Sequence, residues 1–115
     1  MIRAEDCEGE RFISFAAASE ARMRIDWQFA ECAVTRDLGV EVALAQSVVA
    51  MVEAGLGVAL VHALTAQHAS ARVGVKRFAP ALPVALHVVC GAQRQATALS
   101  DACVRHAAAA LVRLR

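Results

Sequence analysis

Aromatic side chains are scarce in this sequence. Four Phe and one Trp stand among 115 residues, and there is no Tyr. A core must therefore be built from Ala, Val and Leu. Charge is scarce too, at 20% of residues with a formal net charge of +1. A nucleic-acid surface needs a basic cluster, and none is visible. The four cysteines, Cys7, Cys32, Cys90 and Cys103, are too few and too irregular for a disulfide scaffold. They read as reduced, mostly buried thiols. No stretch approaches the ~18 consecutive apolar residues of a membrane span. The opening MIRAEDCEGE has no apolar core of a signal peptide. A cytoplasmic protein with no membrane partner is expected.

What is present is aliphatic, with 58% hydrophobic residues in a chain long enough for one domain. RFISF, residues 11–15, is rich in β-formers and reads as a strand. Ser19 suits an N-cap, and Ile25, Phe29 and Cys32 follow at helical spacing. Gly39 marks the exit turn. GVEVALAQ, residues 39–46, reads as a second strand. Ser47 then caps a short helix, and Gly55 sits where a helix-ending glycine belongs. Residues 57–61 form a third strand without polar alternation, which suits a parallel strand covered on both faces. ALTAQHASA is a helical turn or short helix. VGVKRFA and VALHVVCGA read as two more strands. The chain is helical from Ala96 onward, with Leu99, Cys103, His106, Leu111 and Leu114 on one stripe. The strand-helix-strand order predicts an α/β fold: an open, mostly parallel sheet with helices on both faces.

Several patterns invite chemistry. Gly55-Leu56-Gly57 follows a helix and precedes a strand, the reverse of a dinucleotide fingerprint, and Leu60 stands at the third glycine position. A helix stop and a tight turn are the simpler reading, and no cofactor is expected. His87 and Cys90, with Cys103 and His106, mimic two zinc-ligand pairs. Positions i and i+3 of a strand point to opposite faces, however, so no metal is expected. No thiol has a demonstrable His–acid pair, and no catalysis is expected. The junction Leu44-Ala45-Gln46-Ser47 is different. Ligands of open parallel sheets lie outside the carboxyl ends of strands. Helix N-termini there offer free N–H groups suited to a carboxylate. Gln46 and Ser47 add polar groups, and His62, Thr65 and Gln67 follow the next strand. From spacing alone, ordinary capping by Ser47 is the simpler reading.

Three blocks then carry a resemblance: EDCEGERFIS, RIDWQFAECAV and SVVAMVEAGLGVALVHALTAQ. With VALHVVCGAQRQATALSDACVRHAAAAL behind them, the chain resembles the effector-binding region of LysR-type transcriptional regulators. The resemblance implies a type 2 periplasmic-binding-protein-like fold, of which residues 10–90 are the second subdomain. Residues 91–115 would be the closing helix of the first subdomain, so the chain is expected to be a truncated regulator. It implies a small-molecule effector, an amino acid or derivative, contacted by Ala43 to Ser47 and by residues just after Val61. The expected effector site is thus Ala43, Gln46, Ser47, His62 and Thr65. DNA would be reached only through a helix-turn-helix domain outside this sequence, and a homodimer is expected. The alternative is a stand-alone small-molecule-binding or interaction module of the same fold.

Overall fold

The computed structural model describes residues 1–93 and 95–113. The element order is a 3-10 turn Ala4–Cys7, β1 Arg11–Phe15, α1 Glu20–Glu31, β2 Asp37–Val42, α2 Ala45–Glu53, α3 Ala63–Ala66 and α4 Ala98–Val112. The chain divides into two compact units, Met1–Pro83 and Val84–Arg115.

In the first unit, β1 and β2 pair in parallel. The register slips between Phe12 and Ile13, which pair with Leu38 and Val40, so Gly39 is the extra residue. Gly39 therefore lies inside β2, where its missing Cβ leaves room for the Arg11 side chain. The expected exit turn falls earlier. Ala33 takes a positive φ of 54°. Its amide bonds Ala30 O, and the Val34 amide bonds Phe29 O at 3.0 Å. That is a Schellman closure with alanine in the place glycine prefers. The same closure ends α2, where Gly55 has φ 78° and the Leu56 amide reaches Met51 O.

Ser19 caps α1 as its type and place require, its hydroxyl accepting from the Arg22 amide. The buried face of α1 presents Ile25 and Phe29 to β1. The core gathers Ala4, Phe12, Ile25 and Phe29. Phe29 meets Phe12 edge-on at 5.6 Å and stacks on Phe78 at 5.9 Å. Three of the few aromatic rings thus lock three distant segments together. Val48 of α2 is fully buried, and α2 packs on both strands and on α3.

The fold is α/β with a parallel sheet, but among the described residues that sheet has two strands rather than five. The third expected strand contributes one bridge, Val58 beside Phe12. It rests on two bonds, Ile13 N to Val58 O and Val58 N to Arg11 O, both 2.9 Å. Gly57 permits this approach: a Cβ there would lie 2.3 Å from Arg11 O, and its φ is 153°. Residues 73–79 contribute only the bridge of Phe78 to Ile2. In the second unit residues 84–92 form no strand. Apolar runs specify burial, but a strand also needs an edge to pair with. Among the described residues those runs find almost none.

In the second unit, Thr97 caps α4 through a mutual pair of bonds with Ser100. No residue of α4 is buried; Leu99 is 82% exposed. The predicted stripe reaches Leu114, which lies outside the described residues.

Candidate functional site

The carboxyl ends of β1 and β2 are held by one buried side chain. Arg22 on α1 donates Nη1 to Phe15 O at 2.9 Å and to Glu41 Oε1 at 2.8 Å. Its Nε lies 2.8 Å from both Asp26 oxygens. Glu41 first, and then Asp26, raise the guanidinium's proton affinity against the opposing cost of burial. The Ala16 amide adds a bond to Val42 O at 3.0 Å. Asp26 also pairs with Arg36. The Arg36 guanidinium sits 4.6 Å from the Phe29 ring centroid and 5.0 Å from that of Phe12. Its Nη1 is buried without a hydrogen-bond partner among the described residues. The i,i+4 spacing of Arg22 and Asp26 is a readable ion-pair signal that our sequence reading did not use.

From Val42 the chain passes through Ala43 and Leu44 into α2. Leu44, not Ser47, is the N-cap, and no side chain among the described residues caps the helix. Ser47 is the third helical residue, and its amide bonds Leu44 O at 3.1 Å. The correction has a clear cause. The helix starts three residues earlier than the serine suggested, because Ala45 and Gln46 are helix-compatible and follow directly from the strand end. The amides of Ala45 and Gln46 precede the first backbone bond of the helix. The Ser47 hydroxyl is therefore free of the capping duty assigned to it.

Ala43 and Gln46 are exposed, and Ser47 is half-buried beside them. His62 begins α3, where its Nδ1 accepts from the Leu64 amide at 3.1 Å. Thr65 lies one turn on, half-buried. Packing of α2 on α3 puts the two groups on neighbouring helices. No hydrogen bond between them is found among the described residues.

A separate feature was not read from the sequence. A cavity of about 420 Å³ lies within the first unit, walled by Phe12, Phe29, Val48, Val52, Phe78 and neighbours. None of the five expected effector residues lines it. The aliphatic spacing of Val48, Val49 and Val52 signalled a buried face, but not a hollow under it.

All four cysteines carry free thiols, Cys90 and Cys103 exposed and Cys7 and Cys32 half-buried. Burial and the nearby Asp6 and Glu10 push the Cys7 thiol up, so it stays protonated. Among the described residues no cluster of His, Cys, Asp or Glu is placed to hold a metal. Because residues 84–92 form no strand, the strand-face argument about His87 and Cys90 does not apply to this geometry. No helix among the described residues is long and apolar enough to cross a membrane.

The LysR substrate binding domain family matches residues 1–112. This chain belongs to that family. The LysR substrate binding domain found here is 35% identical to the transcriptional activator protein LysR of Escherichia coli (strain K12). The similarity covers 99% of this chain and 37% of that protein. Family membership accords with the α/β architecture. The Schellman turn at Gly55 and the close approach at Gly57 account for both glycines without a nucleotide loop.

Proposed function

We propose that this LysR substrate binding domain senses a small molecule for a LysR-type transcriptional regulator. Residues 10–90 act as the second subdomain of a periplasmic-binding-protein-like fold, its sheet flanked by helices on both faces. Residues 91–115 close the first. Transcription is controlled through a helix-turn-helix domain outside this sequence, and the sensing unit works as a homodimer in the cytoplasm without chemistry of its own.

The observation that carries the reading is the start of α2. It follows directly from the carboxyl end of β2, its amides at Ala45 and Gln46 precede the first helical bond, and no side chain caps it. Such a terminus is suited to a carboxylate. Ala43 lets the ligand approach the backbone, and the Gln46 amide and Ser47 hydroxyl bind its polar atoms. His62 retains Nε2 for the ligand because Nδ1 is occupied by its own helix, and Thr65 adds a hydroxyl. The effector is a carboxylate-bearing molecule, an amino acid or derivative.

Thermal shift against a panel of amino acids and their dicarboxylate derivatives tests this. A hit at 100 times its dissociation constant stabilises the protein by about 2.7 kcal/mol. Ser47→Ala should then weaken binding while costing little stability, since Ser47 is not the cap. Equal affinity in both proteins would remove Ser47 from the site.

A further inference from the structure

We propose that the cavity of the first unit is a second ligand site, for a small zwitterion with an apolar side chain. At about 420 Å³ it falls in the size range of small-molecule sites. Its walls come from α1, α2, α3, β1, the bridge segment after Gly57, the loop before Phe78 and the amino-terminal turn. Seven segments of one unit contribute to its walls, and its volume suits a small molecule rather than a helix or strand of another protein. Its occupant is therefore a small molecule.

The lining chemistry defines the class. Val48, Val52 and Phe78 give an aliphatic and aromatic interior. Two ionisable side chains of opposite sign, Glu10 and Lys76, also line it and are exposed to solvent. No ion pair joins either of them to another side chain among the described residues. The other acid of the lining, Asp6, is already bonded to the Arg3 amide at 2.8 Å. One carboxylate and one ammonium are thus left for a head group carrying both charges, with the body of the ligand in the apolar interior. An α-amino acid with a branched aliphatic side chain meets all three requirements. This site shares no residue with the α2 terminus, so each stands or falls alone.

L-leucine is the probe, titrated into the full chain while the methyl resonances of Val48 and Val52 are followed by NMR. Both sets should shift and saturate. Isopentylamine and 4-methylpentanoate, which each lack one head-group charge, should bind at least ten-fold more weakly. Glu10→Gln and Lys76→Ala should each weaken leucine ten-fold without changing the melting temperature, because both side chains are exposed. Ser47→Ala should leave leucine binding intact. Methyls that stay unmoved at millimolar leucine overturn the proposal. So do analogues that bind as well as leucine, and so does affinity unchanged by both charge variants.

Discussion

Single side chains in this protein carry costs that composition does not reveal. Ser14 is buried in β1, and its hydroxyl finds no partner among the described residues. A buried, unbonded hydroxyl is destabilising, so Ser14→Ala should raise stability by about 1 kcal/mol in urea denaturation. An unchanged or lower midpoint would mean the hydroxyl is satisfied. Glu53 is the opposite case. Its carboxylate accepts from the Ser70 amide at 2.9 Å, which is the main reason its pKa is lowered; Arg72 adds to the effect. A lowered folded pKa means the unfolded chain takes up the proton first as pH falls. The contribution is therefore complete above the ordinary carboxylate range and disappears as pH drops through the lowered value. Melting curves of wild type and Glu53→Gln should differ at pH 7 and converge in acid; a constant gap would refute the linkage. The Ser19 cap was legible because one residue type at one spacing specifies it. The Ser14 and Arg36 problems were not, since burial of a polar atom is decided by segments far away in sequence.

Helices were legible where strands were not, and the reason is the range of the bonds involved. A helix satisfies its backbone within four residues, so Ser19, Ile25, Phe29 and Gly55 were enough to place two of them. A strand depends on a neighbour. RFISF and the body of GVEVALAQ found each other, while the equally apolar VALHVVCGA found no partner among the described residues. The misread start of α2 decides how its terminus is used. Leu44 is a poor N-cap and is exposed. Leu44→Asp should add the missing cap and raise stability by roughly 0.5–2 kcal/mol, seen as a higher melting temperature. The same change places a carboxylate where the proposed effector carboxylate docks. Effector affinity should fall as stability rises. If both rise together, the helix terminus is not the docking point.

At the scale of the whole molecule, the family was legible because several blocks, AGLGVALVHALTAQ among them, stand in one order and spacing along the chain. Apolar surface remains uncovered in the second unit: Val84, Leu86, Val88 and Leu99 are all more than half exposed, and Val89 is 89% exposed. Exposed apolar residues of this kind are what an interface covers, and two-fold pairing is the simplest closure for the homodimer proposed above. Light scattering at micromolar concentration should report a dimer, and Leu99→Asp with Leu111→Asp should shift it to monomer. A monodisperse wild-type monomer would refute the pairing, and a dimer that survives both charges would place it away from α4. A last consequence concerns synthesis rather than assembly. Ile2 is bonded through its amide to Arg77 O and through its carbonyl to the Ala79 amide. Its partner thus lies some 76 residues downstream of it. At ordinary translation rates of about 5–20 residues per second, the ribosome takes roughly 4–15 s to cover that distance. From the synthesis of Phe29 until Phe78 is made, the nascent chain holds the Phe12–Phe29 pair without the ring that stacks on Phe29. The first unit is therefore a protein that must wait for its own tail end to arrive, and during that wait its apolar residues are open to chaperones.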